Sequence, residues 1–270
     1  MTKSAHLDDR ALLTVAGEAA TEFLQNLVTC DVEKLETDVA TFGALLTPQG
    51  KVLFEFLVTK TTNGFFLDCR ADMRDDLLKR LMFYRLRAAV DLAPERADVF
   101  VIWDDDAGTD PRSAKLGRRV YSEPIPTNAS SEDWHAIRIS AGVPELGMDF
   151  DASSVFPHEA MMDQYETAGV DFAKGCYVGQ EVVSRMQHRS TTRSRFVHVS
   201  GEKTLPAMGS EIAAQEKKIG TMGSAVKNKG LALVRLDRAA AARDLGAKIT
   251  CDDIALDLQL PEFFAGDWPS

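Results

Sequence analysis

The chain has 270 residues, 45% of them hydrophobic and 27% charged, with a formal net charge of −10. That length suits two or three compact units with a sizeable core. The negative charge argues against direct nucleic-acid binding, and no apolar run approaches the ~18 residues that a membrane-spanning helix needs.

The first ten residues lack the apolar centre of a signal peptide and are too acidic for a transit sequence, so the expectation is a bacterial cytoplasmic protein. Leu12 to Gly17 reads as a strand ending in a turn, and Glu18 to Leu27 as a helix with Ala20, Phe23, Leu24 and Leu27 on one face. Phe42 to Leu46 reads as a strand, and Pro48-Gln49-Gly50 as a turn. Val52 to Val58 is the return strand, short and interrupted by Glu55. Asn63-Gly64 turns the chain into a further strand, Phe65 to Cys69. A helix follows from about Asp72 to Tyr84, striped by Leu77, Leu78, Leu81 and Met82. Arg80, Arg85 and Arg87 near its end suit the helix dipole, with carboxylate binding as a second reading.

Val99 to Trp103 is a buried strand. Asp104-Asp105-Asp106 is read as a solvated loop, because adjacent acids do not alternate as calcium ligands must. Residues 123–131 have linker-like composition. From Trp134 a helix runs to Ala141-Gly142, followed by Pro144, Glu145 and Gly147. Ala160 to Tyr165 is helix-like. After Ser190 the pattern turns to strands at 195–200, 211–214, 219–226, 230–236 and 249–260, with a helix near 237–245. This predicts a small antiparallel barrel or sandwich, with a boundary near residue 192.

The four cysteines, Cys30, Cys69, Cys176 and Cys251, are scattered without a C-x-x-C. They form no disulfide framework, zinc site or self-contained iron–sulfur ligand set; a cluster shared between chains stays open. Cys176 stands out. It lies in Lys174-Gly175-Cys176-Tyr177-Val178-Gly179-Gln180-Glu181, just ahead of a helix predicted from Gln180. A cationic neighbour and a helix N-terminus would both favour the thiolate; the alternative is a small buried hydrophobe. From Val182 to Gly201 there is no acid, while Arg185, Arg189, Arg193 and Arg195 bring positive charge. That stretch is either a solvated face or an anion site, for a glutamate tail or a phosphate backbone. Arg185 and Arg189 share one side of the helix.

KGCYVGQE, with R-M-x-H-R after it, resembles the signature of the YgfZ/Iba57 family. These are folate-binding proteins linked to iron–sulfur cluster maturation and related to the glycine-cleavage aminomethyltransferases. Phe23-Leu24-Gln25, the block at 42–51 and the block from Trp134 to Gly147 extend the likeness, with departures at Asn26, Cys30 and Ser190. The resemblance implies an α+β fold. Residues 1–192 would form a folate-binding unit of two interleaved subdomains, the inner one ferredoxin-like and spanning about 45–130. Residues 193–270 would form a C-terminal antiparallel β-barrel.

It further implies a tetrahydrofolate-binding accessory protein for assembly or repair of iron–sulfur clusters in client enzymes, with an indirect effect on tRNA modification. Cys176 would be the functional thiol. Trp134 would lie against the folate, with Arg10 where a second family tryptophan would fall. Lys174, Tyr177, Arg185 and Arg189 would complete the folate site. Ser140 replaces the pterin-binding Glu of aminomethyltransferases. A folate-dependent aminomethyltransferase and a non-catalytic scaffold are the alternatives.

Overall fold

The computed structural model describes residues 1–104, 110–165, 169–189 and 192–269. The acidic run at 105–106 and the departure at Ser190 lie outside the described residues.

Five strands build the first sheet: β2 (Arg10–Ala16), β3 (Ala40–Leu46), β4 (Val52–Thr61), β5 (Gly64–Arg70) and β6 (Asp91–Pro94). Their order is β3-β4-β5-β2-β6, with every pairing antiparallel. Pro94 is tolerated because β6 is an edge. Side chains on successive strand residues point to opposite faces, and here both faces are covered. Leu13, Val15, Phe54, Phe56, Val58, Phe65 and Leu67 pack under α1 (Ala20–Gln25) and α2 (Arg74–Arg85). Leu12, Phe42, Ala44, Val52 and Leu57 face the central core. That double burial explains why residues 52–58 read as a nearly continuous apolar run.

A three-stranded sheet, β1-β7-β8, flanks that core. It pairs β7 (Asp98–Trp103) with β1 (Lys3–His6) on one side and β8 (Arg118–Ser122) on the other. The helix α3 (Ser131–Ser140) starts with a capping box between Ser130 and Asp133 and drives Trp134 and Ile139 into the same core.

The C-terminal strands are β9 (Ser194–Gly201), β10 (Glu211–Ala214), β11 (Lys217–Val226), β12 (Lys229–Arg235), β13 (Ile249–Cys251) and β14 (Ile254–Gln259). They close into an antiparallel barrel ordered β10-β11-β12-β9-β14-β13. Val197 and Val199 fill its interior, while Phe196 and Leu231 join the central core from outside. Closure leaves the barrel no free edge. The helix α5 (Leu236–Asp244) packs on it through Leu236, Ala239 and Ala242.

Two local expectations fail, and three short strands were not foreseen. Residues 160–165 form successive turns, because Met161 takes a φ of 64°, which ends any helix. The run 249–260 is two strands, turned at Asp252 and Asp253 with φ of 45° and 63°. The strands β1, β6 and β8 are short, and periodicity alone does not reveal them.

Candidate functional site

Cys176 is exposed, whereas Cys30, Cys69 and Cys251 are buried. Burial pushes the Cys30 and Cys69 thiols up to about 12. The loop that carries Cys176 is built from its flanks. Asp171 accepts the backbone N–H groups of Ala173 and Lys174 at 2.7 and 2.9 Å. Lys174 then turns inward, and its ammonium donates to the carbonyls of Gln25, Val28 and Cys30 at 2.8, 2.6 and 2.7 Å. All three ammonium donors are thereby used. Burial holds the Lys174 pKa below the ordinary lysine range, against the pull of the acids around it. Lys174 therefore anchors the loop to the end of α1, and its charge is directed away from a ligand. Tyr177 is buried, with the Lys174 ammonium 5.4 Å from its ring centroid.

The helix α4 (Gln180–Arg189) begins only at Gln180. Cys176 thus sits ahead of it on irregular chain, outside the first turn where a dipole acts. Gly179, at φ +81°, lies against the Pro48 turn: a Cβ there would meet the carbonyl oxygen of Thr47 at 2.5 Å. The block at 42–51 and the Cys176 block, far apart in sequence, are therefore in contact. Around Gly175 there is nothing within 4 Å of an added Cβ.

The predicted folate residues do not converge. Trp134 has 0% exposure; its indole N–H donates to the Leu116 carbonyl, and the Arg119 guanidinium covers its ring at 4.5 Å. No face of Trp134 is open to a pterin. Arg10 is also buried. Its guanidinium donates to Asp68 Oδ1 at 2.7 Å, to the Asp68 carbonyl at 2.6 Å and to Glu145 Oε1 at 2.8 Å. Arg185 is exposed on α4 and paired with Glu181, and Arg189 is exposed at the end of the same helix.

A buried layer of charges escaped the sequence reading. Glu145 is met by Arg10 and lies 3.3 Å from Arg138 Nε. Arg138 also donates to Asp149 at 2.6 Å, and Asp149 in turn accepts from Ser224 on β11 at 2.8 and 2.6 Å. Burial works to raise the Glu145 pKa, but Arg10 and Arg138 outweigh it and hold the carboxyl well below its usual range. Glu55 lies close by, accepting the Leu146 N–H at 2.8 Å. Burial and the charge of Glu145 push Glu55 up to about 7. The available signal was a charge inside an apolar run: Glu55 in β4 and Asp68 in β5.

A cleft of about 860 Å³ opens between the end of α3, the barrel and the C-terminal segment. Ser140, Lys115, His198, Lys229, Glu262 and Phe263 are among its walls, and no residue of α4 is. Its volume is of the size that holds small organic molecules. Its walls carry both signs of charge: Lys115 is paired with Glu262 at 3.1 Å, and Lys229 and Asp257 also line it.

Residues 193–265 match the family CAF17, C-terminal beta-barrel domain. The mitochondrial iron-sulfur cluster assembly factor IBA57 of Homo sapiens is 26% identical over 310 residues, covering 98% of this chain and 85% of that one. The IBA57 homolog of Neurospora crassa, also mitochondrial, is 28% identical over 229 residues. That alignment takes in 71% of this chain, which spans about half (52%) of the longer protein. The glycine cleavage system aminomethyltransferase T from Bartonella henselae superposes with a TM-score of 0.74 at 13% identity, over 99% of this chain and 87% of that one. These relatives overturn the expectation of a bacterial cytoplasmic protein, since both assembly factors are named as mitochondrial. That expectation rested on the composition of the first ten residues. By the barrel family, the assembly-factor relatives and the shared fold together, the chain is a protein of the YgfZ/Iba57 type, with an aminomethyltransferase-like α+β fold and a C-terminal antiparallel β-barrel.

Proposed function

We propose that this protein is an accessory factor for the assembly or repair of iron–sulfur clusters in client proteins, with Cys176 as its functional thiol. The observation that carries the reading is the placement of Cys176. It alone among the four cysteines is exposed, on a loop anchored by Lys174 and by the contact of Gly179 with the Thr47 carbonyl. A solvent-open sulfur on an anchored loop can serve as a ligand for a soft metal such as iron. The names of the human and Neurospora crassa relatives support the same role. Loss of clusters in tRNA-modifying enzymes would appear as an indirect effect on tRNA. The division into an α+β unit up to about residue 192 and a barrel beyond it belongs to this reading.

A reduced folate is the second part of the proposal, held in the cleft that Ser140, His198 and Lys229 line. Lys229 would meet a carboxylate and Phe263 its ring, while Lys115 is held by Glu262 at 3.1 Å.

The test is complementation of a strain lacking its own family member. Cys176→Ser should leave cluster-dependent enzymes inactive while the protein accumulates normally; full rescue would leave only a scaffold. Titration calorimetry with tetrahydrofolate tests the cleft. Lys229→Glu should weaken binding about tenfold, the loss of one charge-assisted contact. Unchanged affinity would remove the cleft assignment.

A further inference from the structure

Beside the Cys176 loop runs a second groove, of about 540 Å³. One wall is the segment from Asp31 to Thr41; the other is Val170 to Ala173, which leads straight into Lys174 and Cys176. Three residues of extended chain reach at most ~11 Å, so the Cα of Ala173, on the groove wall, lies within that distance of the Cα of Cys176. Leu35, Val39, Val170 and Phe172 make it apolar, and Val39 and Phe172 remain 45% and 39% exposed. At Ala40 and Thr41 the groove meets β3, the terminal strand of the five-stranded sheet.

The rim is acidic. Asp31 and Asp171 line the groove, and Glu33, Glu36 and Asp38 stand exposed on the same wall. Lys34 bridges Asp31 at 2.6 Å and offsets it, Lys60 donates to the Leu35 carbonyl at 2.8 Å, and Lys174 is turned inward, so the exposed charge left on this wall is that of Glu33, Glu36 and Asp38. An apolar floor, a negative rim and a strand edge together select an extended segment.

We propose that this groove docks an extended segment of a partner protein, bearing an aliphatic or aromatic residue flanked by Lys or Arg, and so holds that partner against Cys176. The inference rests on the reading of Cys176 as the functional thiol. It names the chemistry of the surface that presents a partner to it.

The probe is a synthetic peptide with leucine and phenylalanine set between lysines, ending in a cysteine activated as its pyridyl disulfide. A counterpart carries glutamates for the lysines. The Cys176 thiol loses its proton to solvent, its sulfur attacks the peptide's disulfide, and pyridine-2-thione leaves with the electron pair. At low salt the basic peptide should couple about tenfold faster than the acidic one, and salt should narrow the gap. Phe172→Ser, and separately Glu33→Lys with Glu36→Lys, should slow the basic peptide about fivefold or more, while all forms react alike with iodoacetamide. Fluorescence anisotropy with the basic peptide lacking its cysteine should show equal binding to the native protein and to Cys176→Ser. Equal coupling of the two peptides, faster coupling of the acidic one, or indifference to these substitutions would overturn the docking groove. Docking that persists while Cys176→Ser keeps full cellular function would instead overturn the thiol's role and leave the groove standing.

Discussion

Lys174 shows how a residue beside a cysteine can be read two ways. From sequence it is a cation able to activate a thiol; in the fold it is a brace, with three carbonyl acceptors from α1 and the chain after it. Lys174→Met should therefore destabilise the protein by about 3 kcal/mol, roughly 1 kcal/mol for each carbonyl left without a donor. Urea unfolding measures this, and a loss under ~0.5 kcal/mol would return Lys174 to a surface role. Among the thiols, Cys176 should be alkylated first in the native protein, because Cys30, Cys69 and Cys251 are buried. Timed iodoacetamide labelling with peptide mapping reads the order, and earlier labelling of any other cysteine contradicts it. Trp134 and Arg10 carry the same lesson: both are flat groups able to stack on a ring, and both are enclosed by the core.

At the scale of elements, the contact between the Pro48 turn and the start of α4 joins two blocks that sequence displays separately. Gly50 and Gly179 face each other there, both at positive φ, and a Cβ on Gly50 would lie 3.0 Å from Val182 Cβ. Within the motif the two glycines flanking Cys176 look alike, yet their surroundings differ. Gly179→Ala should cost about 1–3 kcal/mol, from strain at positive φ and the clash with the Thr47 carbonyl. Gly175→Ala should stay within ~0.5 kcal/mol, since open space surrounds it. Thermal unfolding of the two variants side by side decides, and equal midpoints would refute the packing argument.

At the scale of the whole molecule, a charged layer lies where β2, β5, α3 and the barrel meet, crossing from Asp68 through Arg10, Glu145 and Arg138 to Asp149 and Ser224. Glu55 at its edge has a pKa raised from 4.5 to about 7, chiefly by burial. Between those values the folded protein holds a proton that the unfolded chain has released. Its stabilising effect is thus complete below pH 4.5 and is lost as the pH rises through about 7. The cost at alkaline pH is on the order of 3 kcal/mol. Glu55→Gln, which keeps an acceptor for the Leu146 N–H, should match the native protein near pH 4.5. It should exceed it by about 2–3 kcal/mol at about pH 8. Parallel stability curves for the two proteins would refute the raised pKa.

Local pattern determined the helix from Gln180, the strands around residues 42–70 and most of the C-terminal barrel strands, because period and turn chemistry act over a few residues; the hairpin expected at Asn63-Gly64 turns one residue earlier, at Thr62-Asn63. The Cys176 motif was legible for a related reason: its residue types are unusual together and contiguous in the chain. Tertiary structure alone decided which side chains reach solvent. Burial depends on neighbours distant in sequence, as Gln25 is from Lys174, Asp68 from Arg10, and Leu116 from Trp134. It also decided the cleft and the groove. Each is a space between elements, and no single element encodes it.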